Sequence, residues 1–245
     1  MSDKDYYTFA MHALLTIQKA QCTACGSCAQ TCPVQAISCT ATHAQLHSQS
    51  CILCGTCIQA CSHSAITVHS HVEQIAKLLA QHIPLVALTS PALAVQMRAQ
   101  NAALKTALLR TGFCAVYDVA DSALAFAQCA AKEFEQRIAR GQAVMTTSCC
   151  PAYTQAVHVH IPALCNTLSH TATPLHFAAK RAKQEYPVCK TVFIGPCLAK
   201  HRESTRDSTI DFVLQLSDIC TLFKRTGIQL EHTDTAYSIY NHYME

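Results

Sequence analysis

Cysteines in two closely spaced runs are the residues of this sequence best suited to chemistry. The first run reads CTACGSCAQTCP from Cys22, and the second reads CILCGTCIQACS from Cys51, 29 positions further on. Each run has the spacing C-x₂-C-x₂-C-x₃-C, which gathers four thiols within eleven positions. Deprotonated thiols are metal ligands, and 17 cysteines are too many to be explained as small core residues. The runs therefore indicate metal binding.

The spacing matches the cysteine run of bacterial ferredoxins, in which the first three thiolates bind one [4Fe–4S] cluster and the fourth binds the other. We therefore predict two [4Fe–4S] clusters, which transfer single electrons at low potential or serve structure alone. The predicted ligands are Cys22, Cys25, Cys28 and Cys61 for the first cluster and Cys51, Cys54, Cys57 and Cys32 for the second. Structural zinc is the alternative metal, although zinc sites use two separated C-x₂-C pairs.

Composition restricts the kinds of partner and compartment. Half of the residues are hydrophobic, 13% are charged, and the formal net charge is +3 with no Lys/Arg-rich run, so nucleic acid is not an expected partner. The N-terminal stretch lacks the features of a signal peptide, and no segment approaches the ~20 apolar residues of a membrane span. We expect a cytoplasmic protein with reduced thiols, in which the 14 His lie at the surface or satisfy local hydrogen bonds.

Two different patterns of local structure position these cysteines. Residues 20–70 repeat a unit of cysteine loop, short helical turn and β segment, which predicts an α+β, ferredoxin-like two-cluster domain over residues 1–72. Over residues 73–245, β-rich runs alternate with helical stretches, which predicts an α/β lobe with a mostly parallel sheet. The predicted strands of the lobe are LVALT, FCAVYDV, AVMTTS, TVFIGP and DFVLQL.

The helices of the lobe are predicted between and after these strands. They cover residues 92–110, 122–140 and 217–226, with further helices after Pro151 and after Cys197. The helix over 122–140 is expected to end near Gly141. Its apolar face consists of Leu124, Ala127, Ala131, Phe134 and Ile138. TTSCCPAY and IGPCLAKHRE lie at turns after predicted strands, where α/β sheets usually place ligands.

The motifs TSCCPAY and PCLAKHRE resemble those of the large subunit of iron-only (FeFe) hydrogenases, and the resemblance covers most of the chain. In that family the active site is a [4Fe–4S] cubane joined by one thiolate to a two-iron unit that carries CO, cyanide and a dithiolate amine. The resemblance implies that Cys150 and Cys197 are cubane ligands and that Cys149 passes protons. It also implies that Lys200 donates a hydrogen bond to cyanide and that Glu203 lies nearby. Taken alone, the adjacent cysteines are equally consistent with two core thiols.

The sequence departs from the family pattern at several positions. The family completes its cubane with two cysteines of a motif E-x₃-C-x₂-G-C, whereas this sequence ends in IYNHYME and has only Cys220 after Cys197. We expect the chain to be truncated before that motif and Cys220 to be a core thiol of an amphipathic helix. Leu175 and Gly195 replace the glutamine and the methionine usual in catalytic members. Of two acidic residues one helical turn apart that form a proton route in those members, only Glu133 remains, and Ala130 takes the other place. The remaining thiols are expected to fill the core; they are Cys39, Cys114, Cys129, Cys165 and Cys189.

These observations favour an iron–sulfur protein that transfers electrons or senses redox state, with a hydrogenase-like site that is incomplete and non-catalytic. The alternative is one subunit of a split FeFe hydrogenase, which evolves or takes up hydrogen when a second chain completes the diiron–cubane cluster. Whether the chain is an enzyme is left open, and a decayed gene fragment is a third hypothesis. The expected partner is a redox protein or a second hydrogenase-type subunit, docked on the apolar surface that the missing segment exposes.

Overall fold

The computed structural model describes residues 14–230. Segments 1–13 and 231–245, which contain most of the N-terminal stretch and the final IYNHYME discussed above, lie outside the described residues. The described chain forms two compact units. The first unit combines residues 14–69 with Arg137–His170 and Leu198–Thr205, and the second combines Ser70–Gln136, Thr171–Cys197 and residues 206–230. No helix within residues 14–230 has both the length and the apolar character that crossing a bilayer requires.

The elements alternate between strand and helix along most of the described chain. In chain order they are β1 (Leu15–Ile17), α1 (Ser27–Gln30), β2 (Ile37–Cys39), β3 (Ala44–Leu46), α2 (Thr56–Ala60), β4 (Ile66–Val68), α3 (Val72–Ala80), β5 (Leu85–Thr89), α4 (Pro91–Gln96), α5 (Asn101–Thr111), β6 (Ala115–Asp118), α6 (Ala123–Ala139), α7 (Pro151–His160), α8 (Pro174–Glu185), β7 (Lys190–Ile194), α9 (Lys200–Arg206), β8 (Phe212–Leu214) and α10 (Leu216–Thr226). Short 3₁₀ helices cover Val119–Ser122 and Pro162–Thr167.

The first unit contains the sequence repeat, and its backbone repeats with the same spacing. Helices α1 and α2 start 29 positions apart, as do strands β2 and β4. Strand β1 pairs antiparallel with β4, and β2 pairs antiparallel with β3. Gly26 and Gly55 precede the two helices with φ of 81° and 83°, a left-handed conformation that glycine adopts without steric cost. The predicted repeat is confirmed in its local elements.

The second unit is built on a four-stranded parallel sheet in the order β6-β5-β7-β8. Both faces of strand β5 are covered, because Leu85 and Ala87 belong to one hydrophobic cluster while Val86 and Leu88 belong to another. Helices α3, α4, α5 and α10 contribute to the first cluster and α8 to the second. Helices on both faces are typical of parallel sheets, whose strands read as continuous apolar runs. The predicted α/β lobe with a mostly parallel sheet is confirmed.

Two predicted elements differ from the structure. The run AVMTTS was predicted as a strand, but its only pairing within residues 14–230 is an isolated bridge between Thr146 and Leu168. Val144 in this run is 60% exposed, so its apolar pattern does not reflect burial in a sheet. The helix predicted over 92–110 is two helices, α4 and α5, because the chain turns sharply at Arg98, where φ is 49°.

Helix α6 matches its predicted position, but its apolar face is not buried within the described chain. The helix spans Ala123–Ala139, and Gly141 follows in the left-handed conformation at φ 80°. Leu124, Phe134 and Ile138 are 69%, 41% and 47% exposed. Apolar residues at helical spacing predict an amphipathic helix, but they do not indicate which part of the protein packs against its apolar face.

The expectation that the leftover thiols fill the core is only partly correct. Cys189 is buried, and Cys220 packs against the core from α10, as predicted. Cys165 is half-buried. The expectation is wrong for the other three, which are exposed; they are Cys39, Cys114 and Cys129. Cys39 ends a three-residue strand in which only Ile37 is buried, and Cys129 lies on α6, where only Arg137 is buried.

Asp211 anchors the edge of the parallel sheet and makes the second unit sensitive to acid. Its carboxylate accepts hydrogen bonds from Lys183 Nζ at 2.8 Å, Lys190 Nζ at 3.0 Å and the Thr191 N–H at 2.9 Å. Burial raises the pKa of Asp211, but the hydrogen bonds from Lys183, Thr191 and Lys190 outweigh it and hold the pKa below its usual value. A carboxyl with a lowered native pKa stabilises the fold above its unfolded pKa, and this contribution is lost as the pH falls through the native pKa.

We therefore expect Asp211→Asn to lower the free energy of unfolding at pH 7 by about 1–3 kcal/mol and to weaken its acid dependence below about pH 4. Urea unfolding followed by circular dichroism at pH 7 and pH 3 measures both effects. Asp121→Asn is the control, because Asp121 is exposed. Equal acid dependence in wild type and Asp211→Asn would contradict the assignment.

Candidate metal centre

The first predicted ligand set surrounds a cavity in the first unit. The cavity is partly open to solvent, and its lining includes Cys22, Cys25, Cys28 and Cys61. Three of these thiols come from the first cysteine loop and the fourth comes from the second. Small residues make up much of the remaining wall, among them Ala24, Gly26, Ala44 and Ala65. The cavity thus brings together the four cysteines that the crossed ferredoxin spacing pairs.

The second predicted set also lies together, around Cys57. The Cys57 thiol is buried, and burial together with the nearby thiolates of Cys51, Cys54 and Cys32 raises its pKa to about 11. Burial also raises the pKa of Cys51, against the opposing effects of the Leu53 N–H and Arg202. Several thiolates confined in one place repel one another, so the arrangement suits a metal cluster, whose binding removes the thiol protons.

Backbone N–H groups point at the sulfurs in both loops. The Ala36 N–H donates to Cys32 Sγ at 3.2 Å, and the Ala65 N–H donates to Cys61 Sγ at 3.3 Å, 29 positions later. The Ala44 N–H donates to Cys22 Sγ at 3.3 Å, and the Leu53 N–H to Cys51 Sγ at 3.4 Å. Hydrogen bonds to cluster sulfurs are one means by which a protein sets the reduction potential of an iron–sulfur cluster.

The loops reach this geometry through a strained backbone that repeats. Ala24 and Leu53 have φ of 56° and 58°, and Gln35 and Ser64 have φ of 52° and 50°. Positive φ is uncommon outside glycine, and such strain persists only where the surroundings over-determine it. Residues with side chains hold the same strained angles at matching positions of both loops. The cavity, the thiols and the N–H donors therefore fit iron–sulfur clusters.

A site for a single metal ion has a different geometry. Within residues 14–230, no three His, Cys, Asp or Glu side chains converge closely enough to hold one ion. A cubane binds each thiolate at a different iron atom, so its ligands spread over a larger body than the ligands of one zinc ion.

The adjacent cysteines lie in the first unit, at the start of α7. Cys150 is the residue before the helix, with Pro151 at the first helical position, and its carbonyl accepts a hydrogen bond from the Thr154 N–H at 3.0 Å. The Cys149 N–H donates to Thr147 Oγ1 at 3.2 Å. Cys149 is half-buried, Cys150 is exposed, and neither forms a disulfide. The two neighbours thus occupy different environments.

The residues predicted from PCLAKHRE divide between the units. Cys197 follows strand β7 in the second unit, whereas Lys200 and Glu203 belong to helix α9 in the first unit. Lys200 Nζ donates to Glu203 Oε2, and their side chains are 14% and 9% exposed. The structure therefore brings Lys200 and Glu203 together as a nearly buried ion pair.

Two further residues singled out by the family comparison have structural roles in the second unit. Leu175, the second residue of α8, is fully buried in the second hydrophobic cluster. Glu133 Oε2 accepts hydrogen bonds from the Thr171 N–H at 3.0 Å and from Thr171 Oγ1 at 2.7 Å. Leu175 fills this buried position with an apolar side chain, whereas a glutamine here would bury a polar amide.

Gly195 occupies a position that has no room for a side chain. A Cβ there would lie 2.7 Å from Ser90 Cβ and 2.8 Å from Phe193 Cζ. We expect Gly195→Ala to lower the free energy of unfolding by about 1–3 kcal/mol, because overpacking forces neighbouring groups to shift. Chemical denaturation measures the change, and a methionine at this position should cost more.

The control for this prediction is the double variant with Ser90→Gly. Replacing an N-cap serine by glycine costs only a few tenths of a kcal/mol, and it removes the nearest obstructing atom. Gly195→Ala should therefore be less destabilising when combined with Ser90→Gly than on its own. Strict additivity of the two changes would show that the Ser90 contact is not the cause.

Three side chains that sequence analysis did not single out contact the second cysteine loop. Gln155 and His160 on α7 and Arg202 on α9 donate hydrogen bonds to consecutive backbone carbonyls at the start of that loop. Arg202 lies inside the PCLAKHRE motif, but it is not among the positions with a family role. His160 is exposed, in agreement with the expectation that the histidines lie at the surface or satisfy local hydrogen bonds, and the carbonyl to which it donates is 110 residues away in sequence. Every residue has a backbone carbonyl, so the sequence does not indicate which carbonyl accepts a hydrogen bond from a distant side chain.

The chain matches two known families. Residues 83–243 match the family described as "Iron only hydrogenase large subunit, C-terminal domain", and residues 14–62 match the family described as "4Fe-4S dicluster domain". The first match covers more than half of the chain. The chain therefore belongs to the iron-only hydrogenase large-subunit family, and it carries an iron–sulfur domain before the hydrogenase-type region.

Individual relatives agree with this assignment. Iron hydrogenase 1 of Clostridium pasteurianum is 29% identical over an alignment of 139 residues, and the match covers 50% of this chain and 24% of that protein. A solved FeFe hydrogenase structure, from work on oxygen inactivation that begins at the 2Fe subcluster of the H cluster, has a TM-score of 0.58 and 20% identity. That likeness covers 67% of this chain and 50% of the other, and it shows the fold alone. The chain thus spans half or less of the relatives it matches.

Proposed function

We propose that this chain is an electron-transfer protein of the hydrogenase family that binds two [4Fe–4S] clusters within residues 1–72, joined to a hydrogenase-type α/β lobe over residues 73–245. The observation that carries the proposal is the cavity lined by Cys22, Cys25, Cys28 and Cys61, which joins ligands from both loops as the ferredoxin spacing requires. The crowding of Cys32, Cys51 and Cys54 around Cys57 supports the second cluster.

When bound, the clusters supply one-electron transfer at low potential. The chain's own residues bind the irons through thiolates, and N–H groups of the strained loops donate to the ligand sulfurs. Buried Cys28 and Cys57 lie on the side of each loop away from water, whereas exposed Cys25 and Cys54 lie towards it. An exposed edge on each loop suits electron exchange with a redox protein, and reduced thiols fit a cytoplasmic location.

We further propose that a polypeptide of these 245 residues does not turn over hydrogen by itself. Cys150 and Cys197 correspond to two of the four cubane ligands of the family, and the sequence has no E-x₃-C-x₂-G-C motif. Lys200 forms an ion pair with Glu203, so its cation is already satisfied within the chain. Cys149, Lys200 and Glu203 remain the candidates for hydrogen chemistry.

A split hydrogenase is the second candidate function. The observation in its favour is that Lys200 and Glu203 are kept nearly buried at the start of α9, a costly arrangement unless the charges have a use. In this case a second polypeptide would supply the remaining cubane ligands. Cys150 and Cys197 would then be cluster ligands, and Cys149 the proton donor.

Anaerobic reconstitution with iron and sulfide tests the proposed function. We expect about eight iron atoms per chain and, after reduction, an EPR spectrum of two interacting clusters. Zinc in place of iron, or about four irons, would refute the two-cluster assignment. Co-expression with the enzymes that build the diiron unit tests the second point. Infrared bands of CO and cyanide, together with hydrogen evolution by this chain alone, would refute the non-catalytic proposal.

A further inference from the structure

Side chains from distant parts of the sequence hold the backbone that leads into the second cysteine loop. Arg202 Nη2 donates to the Cys51 carbonyl at 2.8 Å, and His160 Nε2 donates to the Ser50 carbonyl at 2.8 Å. Gln155 Nε2 donates to the Gln49 carbonyl over a longer distance of 3.5 Å. Three consecutive carbonyls are therefore fixed from outside the loop.

The same loop is covered by the turn that precedes α9. Leu198 Cδ1 lies 3.1 Å from the position that a Cβ on Gly55 would occupy. Arg202 follows one helical turn later and is only 7% exposed. The segment from Leu198 to Arg202 thus covers the second loop with one apolar side chain and one buried cation.

Among residues 14–230, nothing covers the first loop in this way at the matching positions, 29 residues earlier. Gln21 and Thr23 are exposed, whereas the corresponding Ser50 and Ile52 are half-buried. The nearest atom to a Cβ on Gly26 is Gln30 Nε2 at 4.0 Å, in the loop's own helix. Two loops of nearly identical backbone therefore have different surroundings.

We propose that Arg202 is a positioning residue that fixes the second cysteine loop and places a cation beside its cluster, so that the cluster of Cys51, Cys54, Cys57 and Cys32 has a higher reduction potential than the cluster of the first loop. Net charge, hydrogen bonding and solvent exposure set the potential of an iron–sulfur cluster. Reduction adds one electron and one negative charge to the cluster, and a buried cation stabilises that charge more than water-screened charges do. The inference rests on the proposed two clusters.

The test is an EPR-monitored redox titration of the reconstituted chain with dithionite as the electron donor. Wild type should show two separate midpoints. Arg202→Gln keeps a donor for the Cys51 carbonyl but removes the positive charge. It should lower one midpoint potential by about 59 mV, which for a one-electron step corresponds to a roughly tenfold change in the ratio of reduced to oxidised cluster. The other midpoint is the internal control and should not move. Arg202→Lys keeps the charge and should stay near wild type.

The outcomes separate this inference from the proposed function. In one outcome, Arg202→Gln binds about eight irons and shows interacting spins while both midpoint potentials stay unchanged. This result would overturn the role of Arg202 without contradicting the two-cluster assignment. Selective loss of about four irons in this variant would support the positioning role, because only one loop depends on Arg202. If the variant does not fold, the redox titration of the wild type tests the proposal, because a single midpoint potential shared by both clusters would overturn it.

Discussion

Cys61→Ala is expected to remove the cluster of the first cysteine loop and to leave that of the second loop, in which Cys61 itself lies. Cys61 lines the same cavity as Cys22, Cys25 and Cys28. The fourth thiol of a C-x₂-C-x₂-C-x₃-C run points away from its own three, so it serves the partner cluster. Loss of one of its four thiolates weakens the hold of the protein on that cubane, so the iron content should fall from about eight atoms towards about four. Iron counting and EPR spin quantification measure the loss.

Double variants show which thiols share a cluster. Cys28→Ala with Cys61→Ala should still hold about four irons, because both changes affect the same cluster. Cys57→Ala with Cys61→Ala should hold none, although these two residues are neighbours in sequence. Cys129→Ala, at an exposed position of α6, is the control and should retain the full iron content. The reverse pattern, in which the neighbours share a cluster, would show that each loop binds its own cubane.

The iron–sulfur part of this protein is readable from its sequence because metal ligands must occur at fixed spacings. Two copies of one spacing predicted both ligand sets, and the structure places a cavity among the first set. The parallel sheet was equally readable, because LVALT and TVFIGP are continuous apolar runs of strand length between helical segments. In both cases the signal is local, and one short stretch carries the whole pattern.

Features that depend on distant contacts were not predictable. The run AVMTTS is β-rich, yet a strand forms only where a neighbour supplies a ladder of hydrogen bonds, and within residues 14–230 only Thr146 pairs, in an isolated bridge. Among the described residues, the apolar face of α6 and the Cys39 side chain are exposed, and the local sequence indicates neither. The contact of Arg202 with the Cys51 carbonyl joins residues 151 positions apart. No local sequence pattern in either segment predicts this contact.

Arg137 illustrates such a distant contact and carries a large expected effect in the first unit. Its side chain is 6% exposed, and its two terminal nitrogens donate to the Asn166 carbonyl at 3.0 Å and to the Leu168 carbonyl at 2.5 Å. The same strip of chain bonds to the segment before the cysteine pair, since the Thr146 N–H donates to the Thr167 carbonyl at 2.7 Å and the Ser169 N–H donates to the Thr146 carbonyl at 2.8 Å. Arg137 therefore supports the residues that lead into Cys149 and Cys150.

We expect Arg137→Met to lower the free energy of local opening at Thr146 and Ser169 by about 3 kcal/mol, because it removes two charged hydrogen-bond donors, one of them to the carbonyl of buried Leu168. Since 1.4 kcal/mol corresponds to a factor of ten, the amide protection of these residues should fall by about a hundredfold in hydrogen–deuterium exchange. Arg137→Lys should recover only part of the loss, because an ammonium lacks the planar fork that reaches both carbonyls. Arg140→Met is the control, since Arg140 is exposed and its replacement should change protection little. Equal protection in Arg137→Met and Arg140→Met would mean that the cysteine pair is held in place by other contacts.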